Sequence, residues 1–165
     1  MKNLKVGSKI VDRGKVYRVF KLEKTNSRSK AFGGRLVHYK PHFKESPDYG
    51  IVCSIPQSSL YESNIRKPLS KNEIDNILKG LSKKGIIDTD LDLNVCEDVL
   101  KENSLHKTAE ILRKFYRAQK KLGEEFTKKY RDFLDRIFEH VVEEVALVFG
   151  TSLEGAREKV YSYLE

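Results

Sequence analysis

The stretch Ile65-Arg66-Lys67-Pro68-Leu69-Ser70-Lys71-Asn72-Glu73-Ile74 divides this chain into two kinds of sequence. Pro68 restricts the residue before it to extended backbone, so a helix does not arrive from the N-terminal side. Two positions later Ser70 and Glu73 form a capping box, in which each side chain satisfies a backbone N–H that a helix start leaves without a partner. Helical spacing begins at once: Ile74, Ile77, Leu78 and Leu81 recur three and four residues apart, and Gly85 closes the run. The reading is a boundary near Pro68, with domains over 1–68 and 69–165.

Everything downstream of the boundary has a helical period. An acidic connector runs from Asp88 to Asp92, and a short helix is predicted over Leu93 to Leu100. A longer helix follows from Ser104 to Leu122, with Leu105, Ala109, Leu112 and Tyr116 as its buried stripe and Phe115 at the edge. Thr127 caps the next helix, whose core stripe is Phe133, Leu134, Ile137, Val141, Val145 and Val148. Gly150 fits a C-terminal cap, and Thr151-x-x-Glu154 is a second capping box opening the last helix. The C-terminal part is thus an all-helical bundle.

Upstream the period changes to strands and turns. Lys9-Ile10-Val11 is short and β-branched, and Asp12-Arg13-Gly14 supplies a turn. Val16 to Glu23 alternates, with Val16, Phe20 and Leu22 on one face and Tyr17 and Val19 on the other. Thr25 to Lys30 reads as a polar hairpin loop. After Gly33-Gly34, Arg35 to Lys40 is another strand candidate, broken by Pro41. Tyr49 to Ile55 is a further one, with Tyr49, Ile51, Cys53 and Ile55 on one side and Pro56 ending it. Several short strands in so few residues predict a small antiparallel barrel of the Tudor or SH3 type. The fold class is α+β, a barrel followed by a helical bundle.

Charge is distributed unevenly. Residues 1–70 hold 15 Lys/Arg against 5 Asp/Glu, whereas residues 71–165 hold 17 against 19. The basic N-terminal half points to an acidic partner, against the plainer alternative of a solubilising surface. A second basic concentration lies at 111–131, with eight basic and two acidic side chains. There Lys114, Arg117, Lys120 and Lys121, with Lys128, Lys129 and Arg131, suit phosphate contacts that carry affinity but no sequence readout. An ordinary solvated helix face would look the same.

Catalytic signals are missing from the sequence. It has no GxxxxGK[ST], GxGxxG or GxSxG motif. Cys53 and Cys96 form no CxxC pair and read as small buried hydrophobes. The four histidines are scattered, and Pro41 between His38 and His42 argues against one helical face carrying both, so no zinc site is expected. Glu124/Glu125 and Glu143/Glu144 read as solvated helix surface. With no long apolar run and no signal-peptide core at the N-terminus, the expectation is a cytoplasmic protein that is not an enzyme, holds no cofactor, does not enter a membrane and is monomeric.

The order of these pieces resembles the CarD/CdnL family of bacterial regulators that bind RNA polymerase, over nearly the whole chain. Val6-Gly7-Ser8-Lys9-Ile10-Val11 resembles the family's opening VGDxVV, and Ile51-Val52-Cys53-Ser54-Ile55-Pro56 its VxVP strand. Ile65 to Lys71 matches its domain boundary, Lys107 to Arg117 resembles the segment written VAEVVRDLxRR, and Glu143 to Val148 resembles its closing ELALA. The resemblance implies a Tudor-like barrel that pairs strand edges with the polymerase β subunit. Lys24 and Ser54 fall where the family carries basic contacts to polymerase, and Arg28 neighbours Lys24 in the polar loop. It further implies a helical domain on promoter DNA, where the family wedges a tryptophan into the minor groove.

The sequence departs from that pattern. It contains no Trp. By spacing, the wedge position falls near Thr89, and the adjacent basic positions fall at Asp90 and Asp92, whose charge repels phosphate. Leu91 or Leu93 is the remaining apolar candidate. The family's YPxHG turn is shortened to Asp12-Arg13-Gly14. DNA binding is therefore expected to be weak and non-specific. Two other readings share the same charge. One is a nucleic-acid module in which the basic barrel uses Tyr17, Phe32, Tyr39 or Phe43 as stacking surfaces. The other is a protein–protein adaptor.

Overall fold

The type of turn at Arg13-Gly14 sets the first hairpin. Both residues have positive φ, 48° and 79°, as a type I′ turn requires, and Gly14 adopts that conformation without a Cβ penalty. The turn joins β1 (Lys9–Asp12) to β2 (Lys15–Lys24), which continues to β3 (Arg35–Pro41) and β4 (Cys53–Pro56). The structure is a computed structural model that describes residues 4–24, 34–85 and 89–165. Its chain divides into two compact units, Met1–Pro68 and Leu69–Glu165.

In the first unit the four strands form one antiparallel sheet in the order β1-β2-β3-β4. The sheet is open: among the described residues β1 and β4 do not pair with each other. Beyond β4 a short 3₁₀ turn, Gln57–Tyr61, leads back toward β1. There Val11 and Arg66 exchange both backbone hydrogen bonds, at 2.8 and 3.0 Å. The core gathers Leu4, Ile10, Val19, Val37, Tyr39, Leu60 and Ile65, with Tyr17, Leu22, Cys53 and Ile55 packed against it.

Two strand expectations are corrected. A register shift between Val19 and Lys21 resets the alternation in β2, since a bulge inserts an extra residue and reverses which face follows. Tyr17, Val19 and Leu22 therefore share the core side, and Phe20 is exposed. Strand β4 starts only at Cys53. Upstream, Tyr49 and Ile51 donate their N–H groups to the carbonyls of Ser46 and Asp48, so 46–51 is turn, and Tyr49, Ile51 and Val52 are exposed. The polar loop expected over Thr25 to Lys30 lies outside the described residues.

The second unit holds α1 (Lys71–Leu81), α2 (Leu93–Lys101), α3 (Leu105–Leu122), α4 (Lys128–Phe149) and α5 (Leu153–Leu164). Ser70 and Glu73 form both bonds of the capping box at α1. That helix ends at Leu81, with Ser82 rather than Gly85 at its terminus. Thr127 accepts from Tyr130 N–H at 3.4 Å, and Gly150 closes α4 in the left-handed conformation. At α5 the cap is Ser152, which accepts from Gly155 N–H at 3.1 Å, not Thr151 one position earlier.

Packing shifts the expected stripes by one position in α3. Phe115 is fully buried, and Tyr116 is half-buried at the rim. The reason is an aromatic cluster: Phe115 meets Phe126, Tyr130 and Phe133 with ring centroids 6.5, 5.9 and 4.8 Å away. In α4 burial extends all round from His140 to Ala146. Glu143 and Glu144 are therefore buried, not solvated, with Glu144 at 0% exposure. A carboxylate tolerates this only when hydrogen-bonded, and Glu144 accepts from the backbone N–H of Leu69 at 2.8 Å. Val148, by contrast, is half-buried.

Candidate functional site

Two basic surfaces were singled out by sequence, one in each unit. In the first unit Lys24 ends β2, opposite Arg35 of β3. Ser54 lies on β4, opposite His38. The two are separated by β3 and by three register positions along it, so they flank a surface instead of meeting. Arg28 lies outside the described residues.

Ser54 belongs to a polar chain across three strands. His38 Nε2 lies 3.1 Å from the Glu23 carboxylate, an acceptor only, so that nitrogen donates. Nδ1, 2.7 Å from Ser54 Oγ, is then free to accept from the hydroxyl. Lys21 donates to the same carboxylate at 2.7 Å. The hydrogen bond and charge of Lys21, followed by those of His38, hold the Glu23 carboxyl below the usual carboxylate range. A Ser–His–Glu order is also that of an activated nucleophile. Here it lies on an exposed strand face, where water already solvates any developing charge, and it fixes the orientation of His38 and Ser54.

Beside Ser54 is a free strand edge. Among the described residues β4 pairs with β3 alone, which leaves a row of backbone groups open to another strand. The residues entering β4 are apolar and uncovered: Ile51 is 51% and Val52 57% exposed.

In the second unit the basic side chains divide by task. Arg117 donates to the carbonyl of Lys83, and Arg113 donates to that of Gly80 at 3.0 Å. Both guanidiniums thus serve the end of α1, where carbonyls lack helical partners. Arg131 donates to the Phe126 carbonyl at 2.6 Å. The Lys120 ammonium lies 4.7 Å from the Tyr116 ring centroid. Lys107, in the first turn of α3, pairs with Glu102. Lys114 is half-buried, whereas Lys121, Lys128 and Lys129 are exposed.

Within the acidic connector Asp92 has a structural role. Asp92 is the N-cap of α2 and accepts from the N–H groups of Asn94 and Val95 at 2.9 and 3.2 Å. Leu91 is buried, and its carbonyl accepts from the Tyr130 hydroxyl at 3.2 Å. That removes Leu91 as an apolar wedge, because its side chain already belongs to the core. Leu93 is half-buried beside an open groove of about 440 Å³ shared with Asn94, Glu97, Lys129, Asp132, Phe133 and Arg136.

Sequence reasoning missed Arg113, Tyr130, Glu144 and the exposed ring of Phe20. The signal for Phe20 is absent from simple alternation, since a bulge is set by three-dimensional pairing. Among the described residues no group of three or more His, Cys, Asp or Glu is placed to hold a metal ion. Cys53 and Cys96 are free thiols, each pushed up by burial. Among the described residues no helix is long and apolar enough to cross a membrane. No protein-family model matches this chain, and no curated protein is similar enough to count as a relative.

Proposed function

We propose that this chain is a non-enzymatic transcription regulator of the CarD/CdnL kind, docking through its N-terminal unit on the β subunit of RNA polymerase. The observation that carries the reading is the free edge of β4, with Ser54 on it and exposed Ile51 and Val52 leading into it. An edge strand in a basic half suits addition of a strand from an acidic partner, in which backbone bonds give affinity and charge selects. On this reading the sheet is a Tudor-like barrel. What supports that is the Val11–Arg66 bridge, which adds a short fourth pairing on the far side of β1.

The helical unit contacts promoter DNA weakly and without sequence preference. Lys121, Lys128 and Lys129 are exposed cations for phosphate, joined by Lys120 and Arg131, which are exposed but already engaged with Tyr116 and Phe126, while half-buried Lys114 and Arg117 add to the local field. With Asp92 capping a helix and Leu91 buried, Leu91 is not on offer as an inserted side chain to offset unstacking, and half-buried Leu93 is the apolar candidate left beside it. The test is capture from a nuclease-treated bacterial lysate on the immobilised full chain. Retention of polymerase subunits supports the reading, and their absence beside other retained proteins overturns it in favour of an adaptor.

A further inference from the structure

The strand register brings three cations into one row. Lys9 of β1 stands opposite Arg18 of β2, and Arg18 stands opposite Lys40 of β3. Their neighbours Ile10, Tyr17, Val19 and Tyr39 point into the core, so the row occupies the other face of the sheet. Like charges directly opposite one another destabilise a sheet, and this row has two such pairs in succession. Among the described residues no ion pair joins Lys9, Arg18 or Lys40 to an acid. Glu23 is engaged by Lys21 and His38, Asp48 by Lys15, and Asp12 by the Tyr39 hydroxyl.

The surroundings of the row reflect its unbalanced charge. Lys9 Nζ donates to His42 Nδ1 at 3.0 Å, which requires that nitrogen to be unprotonated. Burial and then the charges of Lys9 and Arg18 hold His42 below its ordinary value. Lys9 is itself lowered by burial and by Arg18. An anion placed over the row offsets the repulsion among these charges, while the burial of Lys9 and His42 stays as it is.

One step along the same face is Phe20, 36% exposed. Its ring centroid lies 5.7 Å from Lys40 Nζ and 6.2 Å from the His38 ring. We propose that this face binds single-stranded nucleic acid, with phosphates against Lys9, Arg18 and Lys40 and a base stacked on Phe20. An aromatic π-face beside cations is the recurring chemistry of such surfaces, because every base can stack and every nucleotide carries a charge. An acidic peptide would use the cations but gain nothing specific from the ring. Among the described residues, the aromatics expected from sequence are committed elsewhere. Tyr39 is buried, Tyr17 packs edge-on against it at 5.2 Å, and Phe43 packs against His42 at 4.8 Å; Phe32 lies outside the described residues.

The test is titration of a fluorescein-labelled oligothymidylate with the full chain at several salt concentrations, with polyglutamate as the competing probe. Three neutralised phosphates on a single strand give a log–log slope of about −2. The double variant Arg18→Gln/Lys40→Gln should flatten it by about 1.4. Phe20→Leu should weaken binding on the order of tenfold, and Phe20→Tyr, which keeps the ring, should not. A triple variant, Lys121→Ala/Lys128→Ala/Lys129→Ala, separates any contribution of the helical unit and should leave the Phe20→Leu effect in place. Absent binding, binding that the double variant or Phe20→Leu leaves unchanged, or equal affinity for polyglutamate overturns the proposal.

Discussion

The backbone N–H of Leu69 donates to the carboxylate of Glu144 at 2.8 Å across 75 positions of sequence. Leu69 is the residue just before the Ser70 cap of α1, and Glu144 is fully buried in α4. The bond thus fastens the start of the helical unit to its longest helix. Replacing Glu144 by Ala removes a buried charged acceptor and leaves a void, at a cost of about 2–4 kcal/mol. Glu144→Gln keeps an acceptor oxygen and should cost less. Urea denaturation of the two variants checks the order, and a Glu144→Ala midpoint equal to wild type contradicts the packing described.

The basic residues of α3 and α4 should separate by task. Arg117→Ala loses its bond to the Lys83 carbonyl and should lower stability by about 1 kcal/mol. Lys121→Ala, on an exposed position, should stay within about 0.5 kcal/mol of wild type. Duplex binding should respond in the opposite sense. Removing Lys121, Lys128 and Lys129 together should flatten the salt dependence by up to about 2.7 in log–log slope. Thermal melts and a fluorescence titration on duplex DNA measure the two effects separately.

Much of the helical unit was legible because caps and the 3.6-residue period are local signals. Ser70, Glu73, Thr127 and Gly150 do in the structure what their types and spacing suggest. Illegible were features set by partners distant in sequence. Glu143 and Glu144 read as solvated because nothing local reveals that α4 is enclosed on every side there. Phe115 and Tyr116 exchanged roles because the rings of Phe126, Tyr130 and Phe133 lie on the Phe115 side. The bulge at Val19/Lys21 moved Phe20 out for the same reason, since pairing with β3 decides it. At the candidate site, residue types were readable but commitments were not: Arg117 looks like any exposed cation until its carbonyl partner is seen.

The cation row gives a pH dependence. His42 is held below 6.5 by burial and by Lys9 and Arg18. A depressed folded-state value means that the unfolded chain takes up the proton more readily. This contribution is thus fully present above pH 6.5 and is lost as pH falls through the folded value. In a wild-type chain the C2–H resonance of His42 should titrate below that of a histidine in a short peptide. In Arg18→Gln it should move upward. A His42 midpoint that ignores this substitution contradicts the arrangement of the row.

The most direct measurement of the central claim is affinity for the isolated polymerase β-subunit domain, read by calorimetry with the full chain. Ile51→Glu/Val52→Glu places acids where exposed apolar residues enter the free edge of β4. Lys24→Glu/Arg28→Glu reverses charge at the end of β2 and at a basic residue four positions later in sequence. The account predicts micromolar-range or tighter binding by wild type and a loss of at least about tenfold, roughly 1.4 kcal/mol, for each double variant. Each variant should keep the wild-type circular dichroism. Wild-type binding that both variants retain, or no binding of the β-subunit domain at all, would contradict it.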